Sequence, residues 1–342
     1  MNTSEFCKTF NLLDFVREHL EGHQPFSMSL EDFVVTFHDV GIIEFKPKHE
    51  SQQYLALSAG VHGNETAPME IVSDMVYDLL NGRLNLRCHL LVLIGHPQAM
   101  LKEQRFLDFN LNRMFNGEWK KYWEQKEEIC EVERAKRLEQ AMNDFFAQSC
   151  ANDTRAHYDL HTAIRASKYQ KFAIYPYLDS REHNPAVLNL MQDCGVNTIL
   201  LYHKPSTVFS YYSSHNFKAD SITVELGKVK PFGENNRDDF ADAEKALRQL
   251  VESSYSYDHS TRYKVKGQKV FKVKQELLRV SDDSHLNVDD DLANFSSFEK
   301  GFELLSDPEE PYIVEKDGEA IVFPNNNVPI GQRMALVVEE VE

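Results

Sequence analysis

The first sustained alternation of apolar and polar positions begins at Tyr54. There YLALSAG reads as a short buried strand running straight into GVHGNET. The stretch before it, to about Gln53, is mixed and predicts no element clearly. Beyond it, TAPMEIVSDMVYDLL has helical spacing, with Met69, Val72, Met75, Val76, Leu79 and Leu80 on one face. Thr66 suits the cap of that helix, and Pro68 is tolerated in its first turn. CHLLVLIGHP is a second apolar strand, broken by Gly95 and Pro97. Residues 118–150 are charged and strongly helical, enough for two helices. HYDLHT, FAIYP, TILLYH and SITVELG follow as short strands, and DDFADAEKALRQLVESSY as a helix. Strands alternating with helices predict an α/β fold: a mixed, mostly parallel sheet with helices on both faces.

After about Ser256 the pattern changes. RYKVKGQKVFKVK, KGFELL, PYIVEKDGEAIVF and RMALVVEEV are β-rich and separated by Gly and Pro turns. The expected division is a domain over residues 1–255 and a smaller β-rich domain over 256–342. DDSHLNVDDD lacks the glycine and terminal glutamate of a calcium loop, so it reads as a solvated loop.

Composition narrows the function without naming it. The chain has 342 residues, 42% hydrophobic and 27% charged, which suits a folded globular protein rather than a disordered one. Its net charge of -17 repels nucleic acid and anionic membrane, so neither is an expected partner. An anionic substrate would have to be drawn in by local arginines. Five scattered cysteines with no CxxC fit a reducing compartment. No basic-then-apolar leader opens the chain, and no apolar run approaches the roughly 20 residues of a membrane span. A cytoplasmic protein is expected.

The candidate chemistry starts in GVHGNE. His62 and Glu65 are three apart, directly after a strand and at the start of a helix, where open α/β sheets place their ligands. Catalytic zinc takes His and carboxylate ligands, three from the protein, with one position open. Alone, HxxE is equally a helix cap or a surface pair. HYDLHTA supplies a third donor, His161, at the end of another strand, with Asp159 two residues earlier able to orient its ring. By itself His161 could be a satisfied strand-end histidine. SITVELG brings Glu225 to a strand end, where a carboxylate can relay a proton from water to a leaving amine, or simply be an ordinary strand-end glutamate. RFLDFNLNRMF carries Arg105, Asn112 and Arg113. A guanidinium and an amide clamp a carboxylate well, and a second guanidinium can polarise a carbonyl. Arg165 in LHTAIRAS is a further candidate for a substrate carboxylate, or a surface arginine.

GVHGNE, RFLDFNLNRMF, DLHTAIR and VELG, in that order, resemble the aspartoacylase and succinylglutamate desuccinylase family, a branch of the zinc carboxypeptidase-like fold. The match spans about three quarters of the chain, and NFSSFEKG near the C-terminus also fits. The resemblance implies one zinc ion per chain on His62, Glu65 and His161, with Glu225 as general base and then acid. It implies that Arg105 holds the scissile carbonyl or a substrate carboxylate, and that Asn112 and Arg113 hold the carboxylate beside the amide. It also implies a C-terminal β domain over the mouth of the site, favouring small anionic N-acyl amino acids. DLHTAIR and the length lean to the desuccinylase branch, which cleaves a substrate with three carboxylates in the last step of arginine breakdown by succinyl transfer. His96 in GHPQAM departs from the Asn seen in many carboxypeptidase-like relatives, which bears on a contact behind the ligands.

Two rival enzymes differ only in substrate: an aspartoacylase-type deacylase and a small-substrate carboxypeptidase. A binding protein for a small acid would have no need of Glu225. A purely structural zinc site would be closed by four ligands, usually rich in Cys, and no cysteine lies near these motifs.

Overall fold

A computed structural model of the chain describes residues 3–123, 129–253 and 267–341. The junction expected between residues 255 and 256, and the RYKVK run after it, lie outside the described residues.

The N-terminal stretch that gave no clear pattern forms helices α1 (Thr3–Thr9) and α2 (Leu12–Glu18) and strands β1 (Phe26–Ser29), β2 (Phe33–Asp39) and β3 (Ile42–Pro47). These strands pair antiparallel in sequence order, and β3 continues onto the edge of the central sheet. Then come β4 (Gln53–Ala59), α3 (Thr66–Leu80), β5 (His89–Ile94) and the short α4 (Pro97–Leu101). Among the described residues, the charged region contains α5 (Lys120–Trp123) and α6 (Cys130–Phe146). β6 (Thr154–Ala163), β7 (Phe172–Tyr175), α7 (Pro185–Asp193), β8 (Thr198–Leu201), α8 (Phe209–Phe217), β9 (Asp220–Lys228) and α9 (Ala241–Glu252) complete this part. All six residues expected on the inner face of α3 are buried. Thr66 does not cap that helix. It lies inside the first turn, and its hydroxyl donates to the carbonyl of Lys230 instead.

The C-terminal part supplies β10 (Lys269–Leu278), β11 (His285–Leu286), β12 (Ser296–Ser297), β13 (Glu303–Ser306), β14 (Tyr312–Ile313), β15 (Ala320–Val322) and β16 (Arg333–Val341). Among the described residues, one 13-stranded sheet runs β1-β2-β3-β5-β4-β6-β9-β7-β8-β10-β16-β15-β12, and β11, β13 and β14 make a small second sheet. β5, β4, β6 and β9 are parallel, as the alternating pattern implied. The C-terminal part is stitched to the rest by parallel pairing of β10 with β8.

Strand periodicity decides which side chains meet which helices. Leu55, Leu57 and Ala59 of β4, with Ala156, Tyr158 and Leu160 of β6, pack against α3, α7 and α9. Tyr54 and Ala56 of β4 face α6 and α8 on the other side. On that second face β6 carries His157, Asp159 and His161, all buried. A polar ladder therefore runs through an otherwise apolar layer toward the carboxyl ends of the parallel strands.

Candidate metal centre and active site

Four segments meet at those carboxyl ends. The turn after β4 carries His62 and Glu65. Two glycines make that turn possible for different reasons. Gly60 has a φ of +67°, which favours a residue without Cβ. Gly63 lies so close to the backbone of Ala99 and Met100 that a Cβ would fall 2.2 Å from them. On the adjacent strands, His161 of β6 stands in register with Glu225 of β9. Just past His161 the ladder shifts register, which frees the Thr162 amide to donate to Glu65 at 3.2 Å.

Glu65 is the hub. One carboxylate oxygen lies 2.8 Å from His62 Nδ1 and 2.6 Å from Arg105 Nη1, and the other lies 2.8 Å from His161 Nδ1. The outer ring nitrogens are also held. His62 Nε2 is 3.0 Å from Asn110 Oδ1, and His161 Nε2 is 2.9 Å from Asp159 Oδ2. Asn110 Oδ1 also accepts from the Asn112 amide, so it is an acceptor and His62 carries its proton on Nε2.

That arrangement tests whether a metal fits. Burial and the nearby Arg105 push His62 down to about 4, so its ring is neutral and its inner Nδ1 is a bare lone pair. Against the effect of burial, Asp159 and Glu65 hold His161 well above the ordinary range. Burial alone would raise Glu65, but the two imidazoles hold it well below. A lone pair on His62 facing a carboxylate oxygen at 2.8 Å is repulsive unless a cation lies among the donors. His62, Glu65 and His161 offer one ligand atom each within 4.8 Å of one another, all buried. Two imidazoles and one carboxylate are the donor set of a catalytic zinc site.

Glu225 is 8% exposed, and its Oε2 is buried with no hydrogen-bond partner. Burial and the negative charge of Glu65 push its carboxyl up to about 7. An unpartnered carboxyl poised near neutrality beside a candidate metal centre is suited to moving protons.

Behind His161 the polar ladder continues further than the sequence suggested. Ser58 donates to Asp159 at 2.6 Å and lies 2.8 Å from His157 Nε2, while His157 Nδ1 lies 2.7 Å from Ser213 on α8. The alternation His157, Asp159, His161 on one strand was the available signal for this chain of contacts.

Asn112, Arg113 and Arg165 differ in what they do. The side-chain oxygen of Asn112 accepts from the Phe209 amide at 2.9 Å, fixing the loop to the start of α8. Arg113 is exposed to solvent yet has much of the protein around its guanidinium. That surround, and then the charge of Arg333, push its guanidinium down to about 9. Arg165 gives Nη1 to the carbonyls of Asp290 and Leu292, clamping the loop after β6 to the C-terminal part.

Glu131 is a residue that sequence reasoning missed. It looks like one more acid on a charged helix but is fully buried. One oxygen receives the amides of Leu107 and Asp108 at 2.8 and 3.0 Å and lies 3.1 Å from His96 Nε2. The Cys130 thiol donates to the other at 3.2 Å. Burial would raise its pKa, but these hydrogen bonds bring it down to about 2. His96, Cys130 and Glu131 also have metal-ligand spacing, but the carboxylate is already satisfied by these donors. The trio instead pins the loop that carries Arg105, and His96 caps α4 with its other nitrogen. Glu131→Gln should fold and cost roughly 10- to 10²-fold in kcat/KM by loosening Arg105. A kcat/KM equal to that of the unaltered protein would show that the pin is dispensable.

Comparison with known proteins places this geometry. The family described as the succinylglutamate desuccinylase/aspartoacylase catalytic domain matches residues 51–251, and the AstE/AspA barrel-sandwich hybrid domain matches residues 266–341. A succinylglutamate desuccinylase of Shewanella frigidimarina is 43% identical over 317 residues, 89% of each chain. One of Pseudoalteromonas atlantica is 40% identical, covering 92% of this chain and 89% of its own. The crystal structure of the Vibrio parahaemolyticus succinylglutamate desuccinylase superposes with a TM-score of 0.87 at 32% identity, over 98% of this chain and 96% of that one. Murine aminoacylase 3, 18% identical with a TM-score of 0.55 over 86% of this chain and 97% of its own, shares the fold.

Proposed function

The chain belongs to the succinylglutamate desuccinylase/aspartoacylase family and is a hydrolase, and from that premise we propose that it cleaves N-succinyl-L-glutamate to succinate and L-glutamate at a zinc site. The observation that carries this reading is the convergence of His62, Glu65 and His161 with an unpartnered Glu225 on the neighbouring strand.

His62, Glu65 and His161 would hold the ion, the two rings through their inner Nδ1 atoms. When bound, zinc acidifies water and polarises a carbonyl as a Lewis acid. The protein does the rest. Asp159 and Asn110 fix the ring orientations and keep the outer nitrogens protonated. Glu225 takes the proton from the attacking water and returns it to the leaving amino nitrogen. Arg105 faces the charge that develops on the carbonyl oxygen. Arg113 receives the carboxylate beside the scissile amide, with the amide N–H groups of Asn112. Arg165 we assign to holding the C-terminal part in place, because its Nη1 is used there. The reaction fits the last step of arginine breakdown by succinyl transfer.

Release of glutamate from N-succinylglutamate by the purified protein tests the reading. Turnover should vanish with chelator and return with zinc. Zinc-loaded protein that leaves this substrate intact but cleaves N-acetylaspartate or a dipeptide would move the assignment to a deacylase or carboxypeptidase of the same fold.

A further inference from the structure

A substrate with three carboxylates needs more cationic groups than the motifs around the metal centre provide. Arg105 faces Glu65, and Arg165 is committed to backbone carbonyls. The C-terminal part supplies another arginine at the right place. Arg333, the first residue of β16, is half-buried and donates Nη1 to the hydroxyl of Tyr202 at 3.2 Å. Its guanidinium carbon lies 5.8 Å from the centre of the Phe323 ring.

The charges around it do not balance. Arg333 is the group whose charge acts most strongly on Arg113, and Arg105 acts in the same sense. The carboxylate in this neighbourhood, Glu276, is engaged by Lys204 at 2.6 Å and by the Tyr202 hydroxyl. Neither Arg113 nor Arg333 makes an ion pair with any described residue. Arg113 donates to the Asn112 carbonyl and Arg333 to a neutral phenol. Two guanidiniums whose charges act on each other raise each other's energy, and the carboxylate that offsets them, Glu276, is shared with Lys204. An anion between them removes the repulsion, and a guanidinium braced by a phenol and an aromatic face is pre-oriented to receive one.

We propose that Arg333, braced by Tyr202, forms a second carboxylate subsite next to Arg113 and reads a substrate carboxylate remote from the scissile amide. This inference rests on the substrate reading above. The remote carboxylate is either the free end of the succinyl group or the γ-carboxylate of glutamate. Both present the same chemistry, and trimmed substrates separate them: N-butanoyl-L-glutamate lacks the first, and N-succinyl-L-glutamine lacks the second.

The experiment compares Arg333→Met with the unaltered protein on the full substrate and both trimmed ones. On N-succinylglutamate the variant should lose about 10- to 10²-fold in kcat/KM. On the trimmed substrate that lacks the carboxylate Arg333 reads, variant and unaltered protein should be equal. On the other, the full loss should reappear. Arg333→Lys, which keeps the charge without the planar fork, should fall between the two, and it covers the case in which the Met variant melts early. An equal loss on all three substrates, or no loss on any, overturns the subsite. If the unaltered protein does not cleave N-succinylglutamate, the substrate reading falls and this inference falls with it. If it does and Arg333→Met is indifferent, the subsite alone is wrong.

Discussion

Glu225→Gln keeps the metal and loses turnover by a factor on the order of 10² or more. The carboxylate is outside the three-donor group, so its replacement removes no ligand. It is nearly isosteric, and the buried Oε2 has no partner to lose. What disappears is the group proposed to accept and return a proton. The pH profile gives a second readout. Burial and Glu65 raise this carboxyl to about 7, and only its deprotonated form can act as base. Activity therefore rises with pH along an acid limb. A cation held beside Glu225 favours the carboxylate, so in the zinc-loaded enzyme the limb lies below 7. In the Gln variant that limb should be gone while zinc content stays at one per chain. A variant with wild-type rate would remove Glu225 from the role.

The second large effect belongs to Arg105. Its guanidinium is one-third exposed, and Nη1 lies 2.6 Å from Glu65, so it borders both the donor group and solvent. Arg105→Met should lower kcat by roughly 10²- to 10³-fold, as removal of an oxyanion donor does. Arg105→Lys should recover part of that, since it restores charge without the fork. Steady-state kinetics decide what the residue touches. A loss confined to kcat places it on the developing oxyanion, and a rise in KM at constant kcat would assign it to a carboxylate of the bound substrate instead.

Much of this was legible in the chain because the relevant signals are local. β4, β6 and β9 are short, largely apolar runs with His or Glu near or just past their ends, and α3 has an unbroken 3.6-residue stripe. Donors at or just past strand ends are brought together by the parallel sheet itself, so His62, Glu65, His161 and Glu225 could be proposed as one group from three separate motifs. What escaped depends on contacts far apart in sequence. Glu131 is 24 residues from the Leu107 amide it receives, and nothing on its own helix marks it as buried. Asn110 lies within RFLDFNLNRMF, but its use depends on the approach of His62 from 48 residues away. Arg333 reaches Tyr202 across 131 residues. Arg165 lies near His161 in sequence, and its Nη1 reaches a carbonyl 125 residues further on. The N-terminal strands gave no clean alternation because β1 is only partly buried and β3 is buried at Ile42 and Ile43 in succession.

The parallel pairing of β8 with β10 has a consequence for how this protein stays apart from its neighbours. Thr198–Leu201 is an apolar strand, and without Lys269–Leu278 alongside it would offer a row of free amides and carbonyls at a sheet margin. Such a margin is a template for strand exchange and clumping with other chains. β10 fills that row and hands the ladder on to β16, whose outer reach is in turn taken by β15. The sheet margin is thereby moved to β12, which is two residues long. The same C-terminal strands that bring Arg333 to Tyr202 also leave the sheet safe to expose in a crowded solution.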